Sequence, residues 1–234
     1  MFIVDTSDTY FLDKIYEDMD KLCVRYDSIL SKKIIGKSVE GRDIAALKLA
    51  GKSAEILRRA QNDKNPLILF VGGIHAREDF SVMLCMKMIE QYCHYYNEGK
   101  ILDGFDVMNI INNADMYFVP AVNPDGLNIV HNGIKASSNY DKLRDMKIWG
   151  EDNTYWKANA NGVDLNKNFD DGNWDIRACV PGTGVPCSER FKGYEANSEP
   201  ETKALVNFCN KNSFSLMVSY HCSGNCTFWA DSGT

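Results

Sequence analysis

The sequence lacks long hydrophobic runs. No stretch of its 234 residues approaches the roughly 18 consecutive apolar residues that a membrane-spanning helix needs. The opening residues, MFIVDTSDTY, lack the basic and apolar regions of a secretory signal peptide. As written, the sequence predicts a cytoplasmic protein with no membrane partner. Export is not excluded, because a processed chain would also lack its signal.

Runs of like charge are also missing. The chain carries 26 Lys and Arg against 32 Asp and Glu, for a formal charge of −6. This balance suggests neither a nucleic-acid groove nor a polybasic membrane patch, so it favours a small-molecule or peptide substrate. With 44% hydrophobic residues, the chain can bury a sizeable core, and we predict a single domain over residues 1–234. The oligomeric state is left open.

Cysteine is too sparse for a disulfide scaffold. There are eight cysteines, and without an export signal most should be reduced thiols. Cys179 and Cys187 flank the loop VPGTGVP and would be able to pair only in an exported protein. Four others lie in helical patterns and are predicted to fill the core: Cys23, Cys85, Cys93 and Cys209.

The first third of the chain predicts a helix and then strands. KKIIGKSVEGRDIAALKLA predicts two strands joined by a turn at Glu40 and Gly41. PLILFV, residues 66–71, predicts a strand buried on both faces, followed by a Gly72-Gly73 turn and a helix from about Phe80 to Tyr96. The first helix is predicted from apolar residues at steps of three and four: Phe11, Ile15, Met19, Leu22, Tyr26 and Ile29.

The later segments repeat the alternation of strand and helix. ADMYFVPAVNPDG predicts a strand that ends in an Asn-Pro-Asp-Gly turn. Ser198 to Glu201 is typical of a capping box that opens a helix reaching about Lys211, and FSLMVSY predicts another buried strand ending at His221. Residues 128–195 are polar and predicted to be largely functional loop, with His131 in it. The alternation predicts an α/β fold with helices on both faces of a mixed or parallel sheet.

Three potential metal ligands follow the predicted strands. His75 and Glu78 are three residues apart, so on the first turn of a helix both side chains point the same way. His221 ends a neighbouring strand, and ligands bind beyond the carboxyl ends of strands in such sheets. Two imidazoles and a carboxylate are the shell of a catalytic zinc ion. Taken singly, the pair is more often a salt bridge, and a strand-end histidine is usually only hydrogen-bonded.

The stretch GVDLNKNFD, residues 162–170, is dense in hydrogen-bonding groups. Asp164 would be able to accept the second ring proton of a ligand histidine, fixing its tautomer. Asn166 and Lys167 would be able to hold a substrate carboxylate. An Asx-rich turn, in which the side chains bond their own backbone, explains the spacing equally well.

Five motifs occur in order and decide between these alternatives. They are His75-Ala-Arg-Glu78, Asn123-Pro-Asp-Gly126, Gly162-Val-Asp-Leu-Asn-Lys-Asn-Phe169, Ser198-Glu-Pro-Glu-Thr202 and Ser219-Tyr-His221. Together they resemble the motif set of the zinc carboxypeptidases of the carboxypeptidase A type. This resemblance runs from about Tyr10 to the last residue and implies a three-layer α/β/α domain around a mixed, mostly parallel sheet. WKANANGVDLNKNF and SYHCSGN are more similar to bacterial members that act between γ-D-glutamate and a diamino acid in cell-wall stem peptides.

The resemblance implies a metallocarboxypeptidase that cleaves next to a free C-terminal carboxylate with a zinc-activated water. It implies Asp164 behind His75 and a cation at Lys157 facing the developing oxyanion. It also implies Asn166 and Lys167 as the anchor of the substrate's terminal carboxylate. The zinc ligands it implies, for one ion, are His75, Glu78 and His221.

The sequence departs from the family in two ways. Many members have Arg where this chain has Lys157 and Lys167, which predicts weaker or different carboxylate selectivity. The family's general-base glutamate lies on segments after the third zinc ligand, but only thirteen residues (234 − 221) follow His221 here. We therefore expect a partial domain in which the last strands and the C-terminal helix are missing. Other glutamates occur in the long loops, at 151, 189 and 195, but nothing in the sequence places them at the metal.

Two alternatives to an active peptidase stay open. One is a catalytically inactive domain that binds zinc and a peptide. The other is a structural zinc or redox site built from His221, Cys222 and Cys226, for which the sequence offers no second cysteine pair.

Overall fold

The fold is described from a computed structural model, which covers residues 2–51, 65–146, 148, 152–176, 178–179 and 183–229. Seven strands and seven α-helices occur in these ranges. The strands are β1 Leu30–Lys37, β2 Asp43–Leu49, β3 Leu67–Val71, β4 Ile101–Leu102, β5 Phe105–Asp106, β6 Asp115–Val119 and β7 Phe214–Ser219. The helices are α1 Leu12–Arg25, α2 Asp79–Glu98, α3 Val107–Asn113, α4 Pro124–Asn132, α5 Tyr140–Arg144, α6 Leu165–Asn168 and α7 Pro200–Lys211.

Five of the strands form one mixed sheet in the order β1-β2-β6-β3-β7. β1 and β2 pair antiparallel around the predicted Glu40-Gly41 turn, and β2 pairs antiparallel with β6. β3 is parallel to both of its neighbours, β6 and β7. The remaining strands, β4 and β5, form a separate small hairpin.

Helices cover the sheet on both sides, which confirms the predicted α/β/α class. Helices α1 and α2 pack on one face, where Leu22, Ile89 and Phe118 belong to one buried cluster. Helix α7 packs on the other face, where Leu205 and Leu69 share a second cluster. Full burial of a side chain such as Leu69 stabilises the fold by about 1.5–3 kcal/mol.

The stretch between β6 and α7 is more ordered than the sequence predicted. It contains helices α4, α5 and α6, and a third buried cluster forms around Trp156 and Ala158. His131 lies in the last turn of α4, and its side chain is only 4% exposed, so its predicted place in a polar loop is wrong. The periodicity here was hidden because these helices are short.

Strand β7 corrects another prediction, because it is not buried. Leu216 is 52% exposed and Met217 is 45% exposed. β7 pairs with β3 on one side only, and it is the last strand in the described sheet. Its apolar composition predicted burial on both faces, but composition does not show which strands lie at the edge.

Two predicted turn motifs also differ in detail. Asn123 does not end a strand in a simple turn but caps α4, with its Oδ1 accepting from the Gly126 N–H at 2.9 Å. The capping box at Ser198 is wrong, since Glu199 is the N-cap of α7. The Glu201 carboxylate accepts from the Val39 N–H at 3.0 Å instead of reaching back to Ser198.

The cysteines predicted to fill helical positions do lie in α1, α2 and α7. Cys179 is exposed and Cys187 is buried, and both are free thiols. None of the described helices is long and apolar enough to cross a membrane.

Candidate metal centre

The three predicted ligands meet at the carboxyl ends of β3 and β7. These strands lie side by side, with Val71 opposite Ser219, and the Tyr220 N–H continues the pairing by donating to the Val71 carbonyl at 2.8 Å. The chain leaves β3 through Gly73, whose φ of +61° suits glycine. His75 and Glu78 therefore emerge beside His221.

His75 and Glu78 do not sit on the first turn of a helix, as the spacing predicted. They form a turn just before α2, in which the Glu78 N–H donates to the His75 carbonyl at 3.2 Å. Glu78 is the N-cap of α2, and its backbone is not helical. Ser81 braces this turn, because its hydroxyl donates to the Glu78 carbonyl at 2.6 Å and accepts from the Gly73 N–H at 2.9 Å.

The ligand atoms form a tight group. His75 Nδ1 lies 3.0 Å from Glu78 Oε1, and His221 Nδ1 lies 3.0 Å from Glu78 Oε2. The two Nδ1 atoms are 3.1 Å apart. His75 and Glu78 are buried, whereas the His221 side chain is 31% exposed, so the group opens on the side of β7.

The hydrogen bonds on the far sides of the rings show that this group suits a cation. His75 Nε2 lies 3.1 Å from Asp164 Oδ1, and His221 Nε2 lies 3.3 Å from Ser219 Oγ. We assign the ring protons to the Nε2 atoms, because Asp164 is an acceptor and ligand histidines commonly donate in this way. Both Nδ1 lone pairs then face the Glu78 carboxylate, and a metal ion satisfies all three.

Mutual contacts shift the pKa values of these groups. Burial alone would raise the pKa of the Glu78 carboxyl, but the adjacent His221 and His75 rings outweigh it and lower this pKa. Burial likewise opposes ionisation of His75, yet its contacts with Asp164 and Glu78 raise its pKa. The group is therefore strongly attractive to positive charge, whether a proton or a metal ion.

Asp164 is fixed by the segment that contains Arg190. Its second oxygen, Oδ2, accepts from the Arg190 N–H at 3.0 Å, and its own N–H donates to the Phe191 carbonyl at 2.8 Å. Despite burial, its contact with His75 lowers the pKa of the Asp164 carboxyl. Asp164 is thus an ionised acceptor placed behind His75.

Lys157 lies close to His75 and Asp164. Its carbonyl accepts from the Ala76 N–H at 3.1 Å, and its N–H donates to the Ser188 carbonyl at 2.8 Å, so its backbone is tied next to the His75 turn. The half-buried Lys157 ammonium favours the ionised form of Asp164 and opposes protonation of His75, although the pKa of His75 is raised overall. The role of Lys157 in facing an oxyanion stays a prediction.

Asn166 and Lys167 lie in α6, which begins directly after Asp164. Asn166 is exposed and Lys167 is half-buried. Neither side chain has a hydrogen bond or ion pair with another residue in the described ranges. Both are therefore available to a ligand, and their carboxylate-binding role stays a prediction.

The structure brings no described loop glutamate into the metal group. Glu189 is engaged by Arg77 and Arg190, and no contact links Glu195 to the group within the described ranges. Residue 151 lies outside those ranges. The metal-capable group found there consists of His75, Glu78 and His221 without either Cys222 or Cys226, which speaks against the structural zinc alternative.

The sequence-based prediction missed two residues that hold the metal group in place, Ser219 beside His221 and Arg190 beside Asp164. Ser219 is two residues before His221, so strand alternation places both on one face and would have indicated the contact. Arg190 gave no such signal, because its backbone N–H acts on Asp164 from a position 26 residues away.

Two imidazoles and one carboxylate, with an open side, form the donor set of catalytic zinc sites in metallopeptidases. This set, at the carboxyl edge of a mixed α/β sheet, defines the class of the protein. Residues 15–230 match the zinc carboxypeptidase family model, and the chain belongs to that family.

Individual relatives agree with this assignment. Carboxypeptidase B2 of Bos taurus is 30% identical over 203 residues, covering 86% of this chain and 41% of the relative. Gamma-D-glutamyl-L-diamino acid endopeptidase 1 of Lysinibacillus sphaericus is 26% identical over 232 residues, covering 97% of this chain and 54% of the relative. The crystal structure of thrombin-activatable fibrinolysis inhibitor superposes with a TM-score of 0.65 at 26% identity, covering 89% of this chain and 46% of that one. The chain thus spans about half the length of the relatives that it matches.

Proposed function

We propose that the chain binds one zinc ion through His75, Glu78 and His221 and acts as a metallocarboxypeptidase. The observation that carries this proposal is the convergence of two Nδ1 lone pairs and a carboxylate within a group spanning at most 4.8 Å. Zinc, when bound, lowers the pKa of its water to about 7 and polarises a carbonyl oxygen.

The side chains around the group have defined tasks in this proposal. Asp164 holds the proton on His75 Nε2 and so keeps the opposite nitrogen free for the ion. Lys157 supplies positive charge for an oxyanion that forms on the scissile carbonyl, where losing one such donor typically costs roughly 3 kcal/mol of barrier. Asn166 and Lys167 bind the terminal carboxylate of the peptide, so that cleavage falls beside the chain end.

We infer peptides of the γ-D-glutamyl-diamino acid type, as in bacterial cell-wall stem peptides, as the narrower substrate class. The similarity to the Lysinibacillus sphaericus endopeptidase supports this choice, because it extends over 97% of the chain. The carboxypeptidases are matched over a smaller share of it.

A non-catalytic zinc- and peptide-binding domain is the second candidate. The observation that favours it is that Glu78 is the only carboxylate of the metal-capable group in the described part of the chain. A general base must lie within hydrogen-bond reach of the water that it activates. Turnover of a peptide that is abolished by a chelator and restored by zinc separates the two candidates.

The first experiment is zinc per chain by elemental mass spectrometry. The parent is expected to hold about one zinc ion and His75→Ala none. His94→Ala is the matched control, because His94 lies on α2 away from the group and pairs with Glu98. A folded parent without zinc, or equal zinc in parent and His75→Ala, would contradict the proposed site.

Lys167→Arg tests the carboxylate anchor. An ammonium is a point charge, whereas a guanidinium grips a carboxylate with two parallel hydrogen bonds, so we expect the variant to bind a free-carboxylate peptide several-fold more tightly. Binding is measured by calorimetry with the peptide and with its C-terminal amide as control. Unaltered affinity for the free carboxylate would show that Lys167 is not the anchor.

A further inference from the structure

Two arginines beside the metal group share one buried carboxylate. Arg77 Nη2 lies 3.2 Å from Glu189 Oε2, and Arg190 Nε lies 3.1 Å from Glu189 Oε1. The Glu189 side chain is 8% exposed, whereas those of Arg77 and Arg190 are 32% and 46% exposed. Each oxygen of one carboxylate thus holds a different guanidinium at the surface.

Both arginines are placed by contacts that lead directly to the ligands. Arg77 lies between His75 and Glu78 in the ligand turn, and its Nη1 donates to the Tyr155 carbonyl at 3.2 Å. The backbone N–H of Arg190 donates to Asp164, which contacts His75. Both arginines are therefore tied through their backbones to residues of the metal group or to its neighbour Asp164.

The backbone of Arg190 adopts an unfavourable conformation. Its φ is +71°, in the left-handed region that non-glycine residues rarely adopt. The N–H contact to Asp164 explains why the backbone takes this conformation, but it does not require an arginine side chain. The presence of an arginine side chain at this position therefore needs another explanation.

The cluster of Arg77, Glu189 and Arg190 carries an excess positive charge. Two guanidiniums face one carboxylate, and Arg190 Nη1 and Nη2 have no hydrogen-bond partner among the described residues. These two nitrogens form the planar fork that matches a carboxylate in bidentate geometry. The half-exposed fork is thus ready to receive an anion from solvent.

We propose that Arg190, together with Arg77 on the Glu189 carboxylate, binds a second carboxylate of the substrate. This inference rests on the proposed function, in which Asn166 and Lys167 take the terminal carboxylate. An ordinary peptide has only amides around its scissile bond. A glutamyl residue linked through its side chain retains a free α-carboxylate next to the scissile carbonyl, so the cluster selects γ-glutamyl substrates.

The test uses two peptides that differ in one group. Both are N-acetyl-γ-D-glutamyl-L-lysine with a free C-terminal carboxylate, and one carries an amide in place of the glutamyl α-carboxylate. Binding to the zinc-loaded 234-residue chain is measured by calorimetry. The parent is expected to bind the amide about tenfold more weakly, as for the loss of one hydrogen-bonded charge contact.

Variants of Arg190 assign the difference to its side chain. Arg190→Gln is expected to bind both peptides equally, at the level of the amide in the parent, and Arg190→Lys to recover part of the difference. Arg144→Gln is the matched control, because Arg144 is a surface arginine of α5 that also pairs with carboxylates. It should discriminate like the parent.

The outcomes separate this inference from the proposed function. Equal binding of the two peptides by the parent would overturn the inference and leave the proposed function standing. If neither peptide bound, both would fail. Zinc content should be unchanged in Arg190→Gln, since the contact to Asp164 is made by the backbone. Loss of zinc would assign the side chain to support of His75 and overturn the inference.

Discussion

At the scale of single residues, the Asp164 carboxylate controls what His75 can bind. By accepting the Nε2 proton at 3.1 Å, it leaves Nδ1 with a lone pair and makes the ring more basic. The same contact raises the pKa of His75, so a proton competes with zinc for Nδ1. Zinc affinity should therefore fall as the pH drops below that raised pKa.

Asp164→Asn tests this control. A neutral amide stabilises an imidazolium less than a carboxylate does, so the His75 pKa should fall, and zinc binding should weaken by about 10- to 100-fold at pH 8. The loss of affinity between pH 8 and pH 6 should also be smaller than in the parent. Competition with a chromophoric chelator measures both effects. Parent-like affinity and pH dependence would show that Asp164 does not act on His75.

Glu201 is a buried carboxyl outside the metal group. It is fully buried in the first turn of α7, and burial raises its pKa to about 7. In the unfolded chain the carboxyl ionises near its ordinary pKa of about 4.3. Ionisation is thus easier after unfolding, and the folded state should lose on the order of 3 kcal/mol as the pH rises from about 4.5 to about 7.

Glu201→Gln removes this dependence, because the amide stays neutral while keeping an oxygen for the Val39 N–H. Urea unfolding at pH 5 and pH 8 should show a smaller decrease in the free energy of unfolding for the variant than for the parent. Glu98→Gln is the control, since Glu98 is exposed at the end of α2. An identical decrease in parent and Glu201→Gln would contradict the raised pKa.

The metal ligands could be predicted from sequence because they follow strands whose carboxyl ends must share an edge. For Asp164, the residues left its role and an Asx-rich turn equally open, and the family resemblance decided between them, since its partner is 89 residues away. The cluster of Arg77, Glu189 and Arg190 could not, because residue spacing says nothing about how irregular segments pack.

At the scale of elements, helix α4 packs against two segments of the site without a gap. A Cβ built on Gly126 would lie 2.7 Å from the Ala158 carbonyl oxygen and 2.7 Å from Ala76 Cβ. These neighbours adjoin Lys157 and His75. The glycine of the Asn-Pro-Asp-Gly motif thus lets α4 approach the ligand turn.

Gly126→Ala should separate these segments. We expect a loss of about 1–3 kcal/mol in the free energy of unfolding, as for other overpacked sites, together with weaker zinc binding. Gly184→Ala is the matched control, because a Cβ there meets nothing within 4 Å and the backbone φ is not positive. Denaturant titration and zinc content measure the two effects. If Gly126→Ala were as stable as Gly184→Ala, the neighbouring segments would be able to move apart at little cost.

The elements themselves were largely predictable, because β2, β3, α2 and α7 follow strong apolar patterns. Their surroundings were not. FSLMVSY has the composition of a central strand, yet β7 is exposed. Burial depends on which strands and helices pack beside a strand, and the sequence pattern does not show this. The capping box failed because Glu201 has a better partner in a distant segment.

At the scale of the whole molecule, the two edges of the sheet differ in charge. β1 carries Lys32, Lys33 and Lys37, which deter pairing with another chain. β7 carries no charge and exposes Leu216 and Met217. An uncharged, apolar strand edge is a typical template for association.

We therefore expect the 234-residue chain to associate as its concentration rises, and Met217→Lys to reduce this association. Static light scattering across a concentration series measures it. Val24→Lys is the control, because Val24 is 79% exposed on α1, away from the edge. If the parent stayed monomeric, or if both variants behaved alike, association through β7 would be excluded.

The metal ligands come from distant parts of the chain, so a bound ion would also affect the stability of the fold. His75 and His221 are 146 residues apart in sequence, and among the described strands β7 pairs only with β3. An ion held by both histidines is a removable cross-link that closes a very long loop. By the chain-entropy estimate for a covalent link of that span, such closure stabilises the fold by on the order of 5 kcal/mol. Removal of the ion by a chelator would then release the edge strand first. The same ion would thus take part in the chemistry and also stabilise the fold.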